Sequence, residues 1–247
     1  MKLARAIALV ERHGALLVFP IGNRPEPKSL WSVLHPRTPM RWEWDETGDG
    51  RVVDLWHARR ELAESRAVVY SKWFQGRATL FAKRVFEAML ATFAAQGRAT
   101  TTTAATALRS PLTAGLSPDA RALLEILEDD SPQSTKALKR SAGMQGRVME
   151  AAYTRALKEL WSRLLVVGAG EVEDGAFPSL SIGATKLLFE DSWAAAHEAS
   201  PSHAGVATND ARTEREAILA RTFAEAPSFR RHLDKEMKKL GAALERN

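Results

Sequence analysis

The chain has 247 residues, 45% of them hydrophobic and 26% charged, which is the composition of a folded protein with one large or two small domains. Its 35 Lys and Arg against 30 Asp and Glu give a net charge of +5, which favours a polyanionic partner. Because there is no cysteine, disulfides, thiolate catalysis and cysteine-rich zinc sites are excluded.

The first half of the chain has the pattern of short helices followed by a β-hairpin. A short apolar strand is expected over residues 15–21, after a glycine stop at Gly14. Residues 68–74 and 77–82 alternate in polarity around the turn dipeptide Gln75-Gly76, which predicts a hairpin. Hydrophobic periodicity and a serine N-cap predict helices over residues 1–13, 30–34, 52–64 and 83–95.

The tip of this hairpin combines cations, an amide and an aromatic ring. Such a set suits contact with DNA phosphates or a groove, the aromatic ring acting as a wedge between bases. The predicted DNA-binding residues here are Lys72, Trp73, Gln75 and Arg77.

Residues 41–50 form an acidic stretch that contains two tryptophans. One interpretation is a recognition loop. The alternative, which we favour, is that the tryptophans cover a small core with their N–H groups satisfied at its edge.

The second half predicts three helices followed by a second hairpin. A serine caps the start of the second helix, and a glycine ends it. The strands are predicted over 164–167 and 177–182, joined through a loop from Gly168 to Gly175. The helices are predicted over residues 117–130, 134–143 and 147–163.

The helix predicted over residues 147–163 has two contrasting faces. At about 100° per residue, Met149, Tyr153 and Leu160 fall on one apolar side. Long hydrogen-bond donors occupy the other side, where they can reach phosphate oxygens or base edges in a major groove. An ordinary solvated surface is the alternative interpretation of this cationic face. The predicted DNA-binding residues on it are Arg147, Thr154, Arg155 and Lys158.

Helix, helix, long helix and hairpin is the order of a winged helix, a relative of the helix-turn-helix motif. The predicted fold is α+β and mostly helical, with tandem winged-helix modules and C-terminal helices. The C-terminal helix is either a basic flap on DNA or a helix docked on the body. The predicted divisions are an N-terminal module at 1–98, a linker at 99–116, a second module at 117–198, a linker at 199–209 and a helical tail at 210–247.

Three segments of the chain resemble the AlkZ/YcaQ-like winged-helix DNA-binding proteins. They are LLVFPIGNRPEPKSLWSVL at 16–34, VVYSKWFQGRATLFA at 68–82 and LSPDARALLEILEDDSPQSTKALKR at 116–140. The resemblance implies tandem winged helices and a DNA partner. In AlkZ-type members it also implies a DNA glycosylase that removes bulky or cross-linking alkylated bases, with a Gln-x-Gln motif positioning water.

The chain departs from that pattern because none of its glutamines has Gln two residues on. Base excision requires a group that places water at the anomeric carbon, and the candidates are Asp45, Glu46 and Asp54. The first hypothesis is therefore double-stranded DNA binding in repair or transcriptional regulation. A DNA glycosylase and a protein-interaction module are the alternatives, and the residues do not decide whether the protein is an enzyme.

Other chemistries have no support in the sequence. It contains no phosphate-binding glycine loop, no nucleophile elbow and no helical histidine pair for a metal. There is also no long apolar run and no secretion signal. We expect a cytoplasmic protein without a cofactor, a metal or a membrane anchor, and the sequence does not indicate its oligomeric state.

Overall fold

The computed structural model describes residues 2–42, 49–99, 110–198 and 207–246. Within these ranges the protein is mostly helical and contains one antiparallel six-stranded sheet, which confirms the α+β class. The strands are β1 (Ala15–Leu17), β2 (Val69–Ser71), β3 (Thr79–Phe81), β4 (Gln133–Ser134), β5 (Val166–Val172) and β6 (Ser179–Ala184). The α-helices are α1 (Leu3–His13), α2 (Leu30–Leu34), α3 (Gly50–Ser65), α4 (Lys83–Ala99), α5 (Pro118–Asp129), α6 (Thr135–Ser141), α7 (Glu150–Ser162), α8 (Thr185–Leu188), α9 (Glu190–Glu198), α10 (Ala207–Ala224) and α11 (Pro227–Leu244).

Serine side chains cap the starts of three of the described α-helices. Ser29 Oγ accepts a hydrogen bond from Ser32 N at 3.0 Å and caps α2. Ser117 and Ser134 cap α5 and α6 in the same way, each accepting from the backbone N–H three residues on. These bonds satisfy donors that a helix N-terminus otherwise leaves without a partner.

The first hairpin turns at the predicted dipeptide. Gln75 and Gly76 both have positive φ, 54° and 75°, and Arg77 N donates to Phe74 O at 2.9 Å. Strands β2 and β3 are only three residues each, shorter than predicted. The segment between them, residues 72–78, is called the hairpin tip below.

The strands of the second hairpin are longer than predicted. Gly168 and Gly170 lie inside β5, on either side of a register shift, so the prediction of a loop beginning at Gly168 is wrong. The physical reason is a close approach: a Cβ on Gly168 would lie 2.1 Å from Tyr70 Cδ1. Glycine is required here by packing against a distant residue, and not by a turn.

The two halves of the chain repeat one topology. Each runs helix, strand, two helices and two strands, and in each the first strand pairs with the third. The strand order in the sheet is β1-β3-β2-β5-β6-β4, so the order of the three strands is reversed in the second half, and the two sets meet at the β2–β5 junction. Tyr70 pairs with Gly168 at that junction. A sheet and a main core therefore run continuously through both predicted modules.

Helix α11 is docked on this body. Its Phe229, Leu233 and Leu240 are buried in the main core. The loop before α2 holds its first turn, where Glu26 accepts a hydrogen bond from Ser228 N at 2.8 Å. Of the two interpretations of this helix, the docked one is confirmed.

Gly168→Ala should destabilise the protein because the added methyl group meets a fully buried ring at the β2–β5 junction. Overpacking of this kind costs about 1–3 kcal/mol. Gly50→Ala is the matched control, since no atom lies within 4 Å of its Cβ position and alanine suits the start of α3. Urea denaturation followed by circular dichroism measures both, and equal midpoints for the two variants would contradict the close approach.

Candidate nucleic-acid interface

A cleft of about 610 Å³ lies where the hairpin tip, α7 and α11 meet. We call it the basic cleft. Lys72 and Gln75 of the hairpin tip and Arg155 and Lys158 of α7 all contribute to its lining. The fold thus brings together residues that the sequence analysis selected independently in two distant segments.

Helix α7 is oriented by its apolar face. Leu160 and Ala156 are buried, and Tyr153 Oη donates to Thr135 O at 2.8 Å. This leaves Arg155 and Lys158 exposed on the opposite side, as the periodicity predicts.

Three of the predicted DNA contacts, Arg77, Arg147 and Thr154, do not line the basic cleft. Helix α7 begins at Glu150, so Arg147 lies in the turn before it, whereas the prediction placed it on the helix. Arg77, Arg147 and Thr154 are exposed. They are therefore accessible to a ligand that extends beyond the cleft.

Trp73 does not project from the hairpin tip. Its side chain is 1% exposed and packs edge-on against Phe229 and His232, with ring centroids 5.9 and 4.6 Å away. The prediction of an exposed aromatic wedge is wrong, because α11 covers this part of the hairpin. Trp73 instead forms part of the wall of the basic cleft, and its buried Nε1 has no acceptor among the described residues.

The lining of the basic cleft carries a positive charge. Its acidic members are engaged inside the protein: Glu159 accepts from Ser117 N and Oγ at 3.1 and 2.6 Å, and Glu236 accepts from Lys239 Nζ at 2.6 Å. Among the described residues, the basic members of the lining are Lys72, Arg155, Lys158, Arg163, Lys239 and Arg246.

Arg163 differs from the other cations of the lining. Its Nη2 donates to the backbone oxygens of Leu112 and Ala114, at 2.8 and 2.5 Å. Burial lowers the pKa of Arg163 to about 10, so the side chain is still charged at neutral pH. It supports the wall, while the more exposed cations face the solvent.

The comparison with known proteins gives one match. Residues 2–211, most of the 247-residue chain, match the family described as AlkZ related. The chain belongs to the AlkZ-related family. The resemblance drawn from the three sequence segments is thereby confirmed. No curated protein and no solved structure matches the chain at a significant level.

Lys72 is the most enclosed cation of the hairpin tip in this AlkZ-related chain. It is partly buried, and no described residue forms a hydrogen bond or an ion pair with its amine. Burial lowers the pKa of Lys72, and the positive charge of Arg59 lowers it further. An anion bound in the cleft would offset both effects, because it favours the charged amine.

A second cleft of about 510 Å³ adjoins the basic cleft and shares Gln75, Lys158 and His232 with it. It adds the cations Arg24, Arg231 and Lys235. The sequence analysis noted some of these cations only as one face of the C-terminal helix. Their i, i+4 spacing is visible in the sequence, but what they face depends on where α11 docks.

His232 joins the two clefts. Its Nε2 donates to Trp73 O at 2.9 Å, which assigns the ring proton to that nitrogen in the neutral form. Burial holds the pKa of His232 below its ordinary value, so the imidazole is neutral at neutral pH. It adds no charge to the lining.

In this AlkZ-related chain, the helix of the first half that corresponds to α7 packs against a strand of the second half. Helix α3 occupies the position that α7 has in the second half, and it packs on β5. There Arg59 forms an ion pair with Glu171, with side chains 9% and 10% exposed, and lies 4.2 Å over the Trp56 ring. One side of α3 is therefore covered by β5, while Val53, Asp54 and His57 on its other sides are exposed. The outer face of α7 lines the basic cleft instead.

The tip of the second hairpin is acidic. Glu173 and Asp174 are exposed there, and hydrogen bonds from Ser134 and Ser179 hold the pKa of Asp174 at about 2. Lys136 Nζ lies 3.1 Å from Asp174 Oδ1 and offsets part of this negative charge.

Of the carboxylates considered for positioning water, Asp54 is described by the structure and does not line the basic cleft. Asp45 and Glu46 lie outside the described residues. Asp54 is exposed on α3 and lines a separate cleft with His35 and Arg51. In the part of the chain that the structure describes, no helix is long and apolar enough to cross a membrane, and no group of three or more His, Asp or Glu could hold a metal ion.

Proposed function

We propose that this protein binds double-stranded DNA through the outer face of α7 and the hairpin tip. The observation that carries the proposal is the basic cleft, where Lys72, Gln75, Arg155 and Lys158 meet from two halves of the chain. Amines, guanidinium groups and amides are the side chains that bind phosphates and base edges. Arg77, Arg147 and Thr154 flank the cleft as further contacts.

The topology supports two winged-helix modules, at 1–98 and 117–198. The order of helices and strands in each half, with the first strand paired to the third, is that of a winged helix. In this arrangement α7 is the recognition helix of the second module. Helix α3, its counterpart, packs on β5 through its buried Arg59, so the two modules do not present equivalent DNA-binding helices.

Membership of the AlkZ-related family supports a role in DNA repair. The chain lacks the Gln-x-Gln motif of the glycosylases, so the proposal is DNA binding, and base excision is treated as an outcome of the test.

Fluorescence anisotropy with a labelled duplex, across a salt series, tests the proposal. We expect nanomolar to micromolar affinity that falls steeply as salt rises, because binding releases counterions from the phosphates. A second duplex with a bulky alkylated base, analysed for released base, tests the glycosylase. Weak binding to both, no better than that of any basic surface, would overturn the proposal and favour a protein-interaction module.

A further inference from the structure

The basic cleft is too small for a double helix to enter. Its volume of about 610 Å³ is in the range of sites for small molecules, about 300–1,000 Å³. Helix α11 forms the third wall, opposite α7 and the hairpin tip. A duplex can therefore contact the rim, but only a unit of nucleotide size can occupy the space inside.

The lining is graded from apolar to cationic. The apolar members Trp73, Leu116 and Leu240 are buried, each at most 6% exposed. The charged Arg163 and Glu236 are equally buried, at 6% and 7%, and are bonded within the protein. The members that are exposed to solvent include Lys158 and Arg246. An aromatic base with an attached phosphate has the same gradation, because its ring is apolar on both faces and its phosphate carries the charge.

The cations of α11 are available to a phosphate. Lys239 bonds Glu236 at 2.6 Å, yet its side chain is 55% exposed, and an ammonium group has three donors. Arg246 is exposed at the end of the same wall. Together with Lys158, these residues place positive charge on opposing sides of the mouth.

We infer that the basic cleft binds a single nucleotide unit, with the base against the apolar wall and the phosphate on Lys158, Lys239 and Arg246. The nucleotide comes from one of two sources: an unpaired nucleotide of the bound DNA, or a free mononucleotide. The first source rests on the proposed DNA binding and the second does not. Helix α11 begins at Pro227, beyond the residues matched to the family, so the family match does not cover this wall.

Anisotropy with two labelled duplexes, one fully paired and one with a single unpaired nucleotide, tests the first source. We expect the second duplex to bind about tenfold more tightly, by the stacking of one base. Ala242→Trp fills the cleft from α11 and should bring the ratio of the two affinities to about one. The affinity for the paired duplex reports separately on the proposed function.

Lys239→Gln combined with Arg246→Gln tests the phosphate contacts without adding a bulky side chain. It should reduce the ratio of the two duplex affinities at least threefold. Arg221→Gln combined with Lys238→Gln is the matched control, since it also removes two exposed charges and neither residue lines the cleft. Circular dichroism checks that each variant is folded.

Quenching of tryptophan fluorescence by deoxyadenosine monophosphate tests the second source. Quenching that is lost in Ala242→Trp, with equal affinity for the two duplexes, would assign the cleft to a free nucleotide. Equal affinities without such quenching, or an unchanged ratio in Ala242→Trp, would overturn the inference.

Discussion

Arg155→Gln combined with Lys158→Gln is expected to weaken duplex binding by about 100-fold, from about tenfold for each lost phosphate contact. Both side chains are exposed on α7 and line the basic cleft, so their removal takes positive charge from the centre of the proposed interface. The slope of log affinity against log salt should fall by about 2, since each neutralised phosphate contributes about 0.9. Anisotropy titrations at several salt concentrations measure both quantities.

A charge-matched control separates this interface from the general basicity of the chain. Arg221→Gln combined with Lys238→Gln removes the same charge from exposed positions on α10 and α11 that do not line the basic cleft. We expect affinity within about twofold of the unmodified protein, because neither side chain lines the cleft where phosphates are proposed to bind. Equal losses in the two double variants would mean that net charge alone drives binding, and the assignment of α7 would fail.

Glu171→Leu is expected to lower the free energy of unfolding by about 3–5 kcal/mol. The substitution leaves the Arg59 guanidinium buried between α3 and β5 without a counterion, where its side chain is 9% exposed. The Nε of Arg59 already has no hydrogen-bond partner among the described residues, and the Trp56 ring 4.2 Å away offsets only part of the lost ion pair. Urea denaturation followed by circular dichroism measures the change.

Two further variants identify the cause of that loss. Arg59→Met combined with Glu171→Leu removes both charges and should recover much of the stability, since an apolar pair of similar volume replaces a buried ion pair at little cost. Asp234→Ala breaks the exposed Arg230–Asp234 pair on α11 and should cost less than about 1 kcal/mol. A double variant as unstable as Glu171→Leu would show that packing, and not the unpaired charge, explains the effect.

Much of the fold follows from interactions between close neighbours in the sequence. The predicted serine caps are present at the starts of α2 and α6. So are the glycine that ends α1 and the turn at Gln75-Gly76. Each depends on one or two residues and on bonds that span three or four positions, so the local sequence is sufficient. The cationic face of α7 follows in the same way from the helical period.

Other features depend on residues that are far apart in the chain. From the sequence, Gly168 indicates a loop and Trp73 indicates an exposed wedge. In the structure, Tyr70 packs against Gly168 and α11 covers Trp73. Likewise, the two predicted modules share a sheet only because β2 meets β5.

The sequence by itself determined the helices, the two hairpins, the excess of positive charge and the membership of the AlkZ-related family. Only the tertiary structure decided which charged residues of the two corresponding helices are buried and which line a cleft. The reason is that α3 and α7 occupy equivalent positions in two similar halves, yet one packs on β5 through a buried ion pair and the other faces the hairpin tip and α11 across a cleft. Local periodicity cannot distinguish the two helices, because the difference is made by what packs against each of them.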